Sequence, residues 1–516
     1  MQLVSRLDTS GLRLQGWQAK RWKGAFGMRS RAASSILVAL ALAIAPVPGA
    51  SAEPPAVSRG LEFVGATDLG LPFPTMNTEI EIRGDHVYVG SFFPLDQNGQ
   101  TAFKVADVSD PANPALATHF MLPGTVLDTQ VNNDVARCGY GKNLAGLNDP
   151  ACNTVLATTQ SAPGDVDGLW LFDVRDPANA QPWGWDSTKS FVDQVGFIQR
   201  PARGSHNGFL FGDFAFAAGI GEASFEIWDI SPLFSDPAAA PTLAATYSNL
   251  ADPRPVRPQR EREGSHDIFV QRNPDGRIFA YVAGPNFYIV DVTDVVEGAT
   301  RGDISDHLVG FNNYVNADGT LTVTRPHGGH YGEPTDDGDH AYVGDETGCG
   351  EPGIIHILDT SGLPQVGGTP KQLAEVGTVT WPTSNVPQCA NRNADDSADD
   401  PQNRNGDTQN FCRTGHNFRI YGDIMTHGNY CEGVFVWDLT DRANPTLLAQ
   451  HRSVGDYGGK RKELKDHAAK ADLHSTFWQA VSDGDPDALV RGEQFIYGSD
   501  LSAGLVVLRM RPAGSG

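Results

Sequence analysis

The stretch Gly433-Val-Phe-Val-Trp-Asp-Leu-Thr-Asp-Arg-Ala-Asn-Pro445 is a short apolar strand that ends at Asp438 and continues into a polar turn. The same unit recurs along the chain, and successive copies lie 56 to 79 residues apart. The strand-ending residues are Asp107, Asp173, Asp229, Asp291, Asp359, Asp438 and, in the last copy, Arg509. An internal repeat at this spacing indicates one supersecondary unit that is used seven times.

Each copy belongs to a set of four short strands. Asp267-Ile-Phe-Val270 precedes Phe279-Ala-Tyr-Val-Ala-Gly284, and Asn273-Pro-Asp-Gly276 between them is a hairpin signal. The third strand carries the Asp, and a fourth follows the turn, as in Thr446-Leu-Leu-Ala-Gln450. The pattern predicts an all-β chain that folds as a seven-bladed β-propeller of four-stranded antiparallel blades.

Closure of the ring is expected from the two ends of the repeat region. Leu61-Glu-Phe-Val-Gly-Ala66 resembles an outer strand but has no unit before it, and the last copy stops near Pro512 without an outer strand. We expect this N-terminal strand to pair with the last blade and close the ring, since closure protects sheet edges. An open array of separate sheets is the alternative.

The first 52 residues have the pattern of a secretory signal peptide. Residues 1–31 carry seven basic residues and one acid, an uncharged apolar run spans Ala32–Ala45, and Ala50-Ser51-Ala52 fits a cleavage site. An uncleaved membrane anchor is the alternative, but the run is short for a span. We therefore expect a periplasmic or secreted protein, with residues 53–516 forming a single propeller domain.

The net charge of the chain limits the classes of partner that it is expected to bind. Cleavage after residue 52 removes seven basic residues and one acid, which leaves 32 basic and 61 acidic residues and a net charge of −29. An acidic surface of this size argues against nucleic acid and anionic lipid as partners. The expected partner is a protein, a polymer or a small molecule, and no segment after the signal peptide is expected to span a membrane.

Six cysteines in an exported chain predict disulfides. Local spacing pairs Cys138 with Cys152 inside an inserted loop, residues 132–153, and Cys389 with Cys412 inside a second one, residues 384–412. Cys349 would then pair with Cys431, and free thiols or metal ligands are the alternative for these two. The second loop is rich in Asp and Asn, and we expect a solvated loop there rather than a calcium site.

The segment His266–Asp294 contains His-Asp-Ile, then Tyr-Val, then Ile-Val-Asp-Val-Thr-Asp. In this order the motifs resemble the LVIVD-repeat β-propeller proteins, and the resemblance covers roughly residues 60–512. It implies an exported or surface-located propeller and no particular reaction. The first two blades depart from the pattern because they lack the His, and the last blade lacks the Asp.

Histidines recur just before the innermost strand, and a second set of polar residues ends the adjacent strand. In a propeller both places lie at one mouth of the central channel, because the end of strand two is beside the start of strand one. Imidazoles and carboxylates that converge in this way predict a transition-metal site for zinc, copper or iron. The candidate ligands are His206, His266, His327, His330, Glu346, His416, His427 and His474.

Two other interpretations of these histidines stay open. They could hydrogen-bond the backbone between blades, or they could line a metal-free ligand pocket. The function we expect is a binding module that acts through its channel mouth. A metal-dependent oxidoreductase or hydrolase is the alternative, and the sequence does not decide whether the protein is an enzyme.

Overall fold

The contacts within the chain divide it into Met1–Ala52 and Glu53–Gly516. The computed structural model describes parts of the second unit, to which all that follows refers. The described residues are 57–70, 76–92, 96–160, 167–200, 205–218, 224–248, 265–284, 286–313, 329–346, 354–381, 415–429, 432–452, 477–501 and 504–511. Residues 1–52 and the loop 384–412 lie outside them, as do Cys349 and Cys431.

The described residues form short strands with few helices. The strands of the first third are β1 (Val57–Arg59), β2 (Leu61–Thr67), β3 (Asn77–Arg83), β4 (His86–Ser91), β5 (Gln100–Asp107), β6 (Ala115–Pro123), β7 (Thr125–Val131), β8 (Gly139–Tyr140), β9 (Asn143–Leu144), β10 (Thr154–Gln160), β11 (Gly168–Asp173), β12 (Gln181–Pro182) and β13 (Phe197–Gln199). Those of the middle third are β14 (Asn207–Phe211), β15 (Phe214–Ala218), β16 (Ser224–Asp229), β17 (Thr242–Ser248), β18 (Ile268–Arg272), β19 (Ile278–Val282), β20 (Phe287–Asp291), β21 (Gly302–Asp303) and β22 (Leu308–Asn312).

The last third follows the same plan. Its strands are β23 (Gly329–Pro334), β24 (His340–Asp345), β25 (Ile355–Asp359), β26 (Lys371–Gln372), β27 (Ala374–Val379), β28 (Gly415–Tyr421), β29 (Ile424–Asn429), β30 (Gly433–Asp438), β31 (Thr446–Arg452), β32 (Phe477–Ser482), β33 (Phe495–Asp500) and β34 (Gly504–Met510). The short helices are Val135–Cys138, Ser231–Ser235, Thr293–Val296 and Pro486–Val490, with 3₁₀ turns at Ala151–Asn153, Pro177–Asn179, Phe191–Asp193 and Ser305–His307. Among the described residues, no helix has the length and apolarity of a membrane span.

The strands pair as antiparallel meanders. The orders β14-β15-β16-β17, β18-β19-β20-β22, β23-β24-β25-β27 and β28-β29-β30-β31 each run from an innermost to an outer strand. The innermost strand of each meander contacts that of the next, and β32 contacts both β28 and β3. Antiparallel meanders whose first strands touch in succession around an axis define a β-propeller.

The N-terminal strand β2 pairs antiparallel with β34, as the sequence predicts, so the first and last parts of the described chain share one sheet. Other sheets depart from a plain four-stranded pattern. β1, β21 and β26 add edge strands, and a bridge between Ser91 and Val126 joins β4 to β7 in a nine-stranded sheet. Added edge strands shield otherwise open sheet edges.

Aromatic side chains fill the space between neighbouring sheets. Phe209 packs on Phe269 with ring centroids 4.8 Å apart, Phe269 on Tyr331 at 6.5 Å, and Tyr331 on Phe418 at 5.0 Å. These residues alternate with channel-facing ones along the innermost strands, since successive side chains of a strand point to opposite faces. Each such buried side chain contributes roughly 1.5–3 kcal/mol.

The repeated Asp has a local structural role. Asp438 accepts a hydrogen bond from the backbone N–H of Thr440 at 2.8 Å, and Asp291 accepts one from Thr293 at 3.0 Å. The same turn occurs at Asp107, Asp173, Asp229 and Asp359. An acceptor two residues before the donor makes an Asx turn, which reverses the chain after the third strand. In the last copy Arg509 instead donates to Glu62 of β2 at 2.6 Å and so helps to hold the N-terminal strand.

Candidate functional site

Four imidazoles lie side by side where the innermost strands begin. His206 precedes β14, His266 precedes β18, and His330 and His416 lie in β23 and β28. The ring centroids of successive histidines are 4.1, 4.2 and 4.3 Å apart, and Trp478 of β32 continues the row 4.2 Å from His416. The repeat therefore brings side chains that are far apart in sequence to one end of the central channel.

β-Bulges help to aim these side chains. Gly329 pairs with Asp345 and Tyr331 with Gly344, so His330 is an extra residue without a partner on β24. Trp478 is an extra residue in the same way between Phe477 and Gln479. A bulge turns one side chain away from the regular alternation of a strand, and bulges are frequent beside functional sites.

Three of the four imidazoles are held through Nδ1. His266 Nδ1 lies 2.9 Å from Asp267 Oδ1, His416 Nδ1 lies 3.0 Å from the Trp478 carbonyl oxygen, and His206 Nδ1 lies 3.4 Å from Gln160 Oε1. All three partners accept, so Nδ1 carries the proton and Nε2 carries the lone pair. Metal-binding histidines are typically oriented by such an acceptor on the other nitrogen.

Two sets of potential ligand atoms result. One atom from each of His206, His266, Asp267 and His330 lies within 4.8 Å of the others. The same holds for His330, Glu346 and His416, where His330 Nε2 is 3.3 Å from Glu346 Oε2. Imidazole with carboxylate is a donor set suited to zinc, copper or iron.

Buried carboxyl groups lie next to the imidazoles. Gln130 donates to Asp128 Oδ1 at 3.0 Å and to Glu79 Oε2 at 3.3 Å, and Asn417 bridges Glu79 and Asp267 through its side-chain N–H groups. These residues are almost fully shielded from solvent. Amide side chains therefore hold these acidic groups, and Asp267 also pairs with His266.

Burial determines the protonation states of the imidazoles and of the neighbouring carboxyl groups. It lowers the pKa of His206, His330 and His416 well below the usual value, and neighbouring imidazoles add to the effect. Burial, together with Asp128, raises the pKa of Glu79 well above its usual range, and burial raises the pKa of Asp128 to about 6. The imidazoles of His206, His330 and His416 are thus neutral near pH 7, which is the form that binds metals.

The space between these side chains is small. A cavity of about 10 Å³ lies among Glu79, Leu127, Asp128, His206, Asn207, Asp267, His330, His416 and Trp478. A single water needs roughly 10–15 Å³ by this measure. The cavity therefore has room for one small ion or water and not for an organic molecule.

Deeper in the channel, Arg419 of β28 fills the axis. Its guanidinium lies 3.7 Å from Glu81 Oε1 and 3.9 Å from Glu333 Oε2, and it donates to Asn133 at 2.9 Å. Tyr140, from the inserted loop 132–153, donates to Glu81 at 2.9 Å and lies under the guanidinium. The predicted Cys138–Cys152 disulfide is present in this loop, which covers the end of the channel away from the imidazoles.

The structure brings together five of the predicted ligands: His206, His266, His330, Glu346 and His416. His427 is not in either set, because its ring packs against Trp381 and Phe435, and burial lowers its pKa to about 3. His327 and His474 lie outside the described residues. Asp267 was missed as a ligand although it directly follows His266, and Trp478 was missed because no histidine marks its position.

The buried Lys104 of β5 should make the free energy of unfolding depend on pH. It is 1% exposed, donates to Asn77 at the start of β3, and burial lowers its pKa to about 7. An unfolded lysine keeps its proton up to about pH 10.4. The unfolded chain therefore binds more protons between these values, and the Lys104 contribution to the free energy of unfolding should rise with pH from 7 to about 10, by on the order of 4 kcal/mol. This contribution is the difference between the parent and a variant without Lys104, because other buried groups also titrate in this range.

Lys104→Met should remove that slope, while the exposed Lys189→Met should keep it. Urea denaturation at pH 7 and pH 9.5 measures both variants against the parent protein. Equal slopes in the parent and in Lys104→Met would show that Lys104 is charged in the folded state.

Comparisons with known proteins find a structural neighbour but no matching family and no curated relative. No protein-family model matches the chain, and no curated protein matches its sequence. Among solved structures, the chain is similar to the β-propeller domain of Cps50 (Swd1) from Myceliophteria thermophila, with 10% identity and a TM-score of 0.45 over 87% of this chain and 99% of that one. The assignment as a β-propeller rests on the strand pairing described above.

Proposed function

We propose that the protein is a binding module whose channel mouth holds a transition-metal ion. The row of four neighbouring imidazoles with 4.1 to 4.3 Å between ring centroids is the observation that carries the proposal. Imidazoles so close together, three of them with an oxygen acceptor at Nδ1, form a nitrogen-rich donor set for zinc, copper or iron. Imidazoles that served only as struts between blades would not need to bring potential ligand atoms within 4.8 Å of one another.

The size of the cavity favours an ion over the other ligands. A space of about 10 Å³ admits an ion but not a small organic molecule. A protein or polymer would have to bind outside this cavity. The alternative function, a metal-dependent oxidoreductase or hydrolase, would also need room for a substrate beside the ion, and the described residues provide none in that cavity.

We also propose the finer fold and location. The succession of contacts between β3, β7, β14, β18, β23, β28 and β32, and back to β3, supports seven blades closed by β2. The Asx turn after the third strand supports a place near the LVIVD-repeat propellers. The Cys138–Cys152 disulfide supports export, because disulfides persist in oxidising compartments.

Elemental analysis tests the metal proposal. The mature protein, purified without a histidine tag, is dialysed against copper, zinc and iron salts in turn and then against buffer. We expect a near-stoichiometric ion to remain, and the double variant His266→Ala/His330→Ala to lose it. His119→Ala, on the outer strand β6, is the matched control and should keep the ion. A parent protein that stays metal-free in all three dialyses would overturn the proposal.

A further inference from the structure

One histidine belongs to both sets of potential ligands. His330 is the residue shared by the set His206, His266, Asp267, His330 and the set His330, Glu346, His416. A shared ligand has two explanations: the sets are alternative sites for one ion, or they are two sites that use different atoms of the same side chain. The positions of the two ring nitrogens distinguish these explanations.

The two nitrogens of His330 face different carboxylates. Nε2 lies 3.3 Å from Glu346 Oε2, and Nδ1 lies 3.9 Å from Asp267 Oδ2. The His330 side chain is 5% exposed, and Nδ1 makes no well-formed hydrogen bond among the described residues, although the Asn417 side chain is a polar neighbour of the ring. This differs from His206, His266 and His416, in which Nδ1 has an oxygen acceptor. A buried ring nitrogen without such a partner is costly unless a ligand occupies it.

We propose that His330 bridges two transition-metal ions, with Nδ1 bound to an ion held by His206, His266 and Asp267 and Nε2 bound to an ion held by Glu346 and His416. The inference rests on the proposed function and adds a second ion to it. The first ion would occupy the cavity of about 10 Å³, and the second would lie on the Glu346 side of His330, since Glu346 does not line that cavity. Each nitrogen donates one electron pair, and the ring N–H proton leaves to solvent when the second ion binds. The bridging group is then an imidazolate.

The charges around the site are compatible with two cations. Asp267 and Glu346 bring one carboxylate to each set, and Glu79 and Asp128 lie against the first set. The bulge at His330 turns its ring between the two neighbours on either side, His266 at 4.2 Å and His416 at 4.3 Å between ring centroids. His330, the third imidazole of the row, is therefore the one placed to join the two sets.

Copper(II) titration followed by electron paramagnetic resonance tests the bridge. The chelator-treated, untagged mature protein should take up two copper ions per chain. An imidazolate couples the unpaired electrons of the two ions, so the second equivalent should reduce the signal of the first instead of doubling it. Glu346→Gln and His416→Ala should each bind one copper with a full, uncoupled signal, and His119→Ala should behave as the parent does.

The outcomes separate this inference from the proposed function. One copper per chain with a full signal in the parent would overturn the bridge and leave the metal-binding proposal intact. Two coppers whose signals simply add would also overturn the bridge, because the sites would then be independent. No copper uptake would overturn the bridge, and the zinc and iron dialyses described above would then decide the metal-binding proposal. Circular dichroism and thermal unfolding of each variant identify any that fail to fold, and the Glu346→Gln substitution keeps the side-chain shape for that reason.

Discussion

Arg419→Met is expected to destabilise the protein by about 3–5 kcal/mol, because it leaves two buried carboxylates without their cation. Arg419 is 4% exposed, and Glu81 and Glu333 are 0% and 2% exposed. Burial already raises the pKa of Glu81, and it raises that of Glu333 to about 7, although the Arg419 charge opposes both shifts. Without the guanidinium, both carboxyl groups would take up protons in the folded state.

The sign of the pH dependence follows from that proton uptake. In the variant, both folded pKa values would lie further above the unfolded value, so the folded state binds more protons than the unfolded chain above about pH 4.3. The stability defect should therefore grow from pH 5 to pH 8. Urea denaturation at these two pH values measures it.

Two further variants make the Arg419 result interpretable. Arg491→Met removes an exposed arginine that pairs with Glu493 at 2.8 Å, and it should change the stability far less than Arg419→Met does, because water and salt screen an exposed pair. Adding Glu81→Gln and Glu333→Gln to Arg419→Met should restore part of the loss, since no unpaired carboxylate remains. A defect that is independent of pH, and that the glutamines do not reduce, would assign the role of Arg419 to packing against Tyr140 and Phe269.

The features that the sequence predicted are those in which a local motif repeats. The strand-ending Asp could be predicted because its hydrogen-bond donor lies only two residues further along the chain, as Thr293 does for Asp291. The row of histidines could be found because equivalent positions of a repeat come to equivalent places around a ring. The pairing of β2 with β34 could be found from an unmatched strand at each end of the repeat region.

The features that the sequence did not predict depend on which face of a strand a residue occupies and on how the length of a hairpin differs between blades. His427 ends up between sheets because its place in the alternation of β29 turns the ring towards Trp381 and Phe435. Trp478 takes the place expected for a histidine. The helix Pro486–Val490 lengthens the hairpin that follows, so the spacing between the first two strands of this blade differs from that of the other blades and does not reveal the position of Trp478. Glu79 and Asp128 are ordinary strand residues whose burial only the closed ring reveals.

His356 of β25 should also contribute strongly to the stability of the folded protein, and its contribution should depend on pH. Its Nδ1 lies 2.8 Å from Glu375 Oε2 and its Nε2 lies 3.2 Å from Asp345 Oδ2. Burial opposes the charged form, but the two carboxylates outweigh burial and raise the pKa of His356 to about 10. The imidazolium is thus a buried cation between two acids.

His356→Leu should therefore destabilise the protein by about 3–5 kcal/mol near pH 6, because Asp345 stays buried without its cation. The folded pKa of His356 lies above the unfolded value of about 6.5, so its contribution is fully present below pH 6.5 and is lost as the pH rises towards 10. Unfolding curves of parent and variant should converge between pH 6.5 and pH 10. His86→Leu, at the first hairpin, serves as the control for the replacement of an imidazole by a leucine side chain. A constant gap between parent and His356→Leu across this range would show that the imidazole is neutral in the folded protein and acts as a hydrogen-bonded spacer between Asp345 and Glu375.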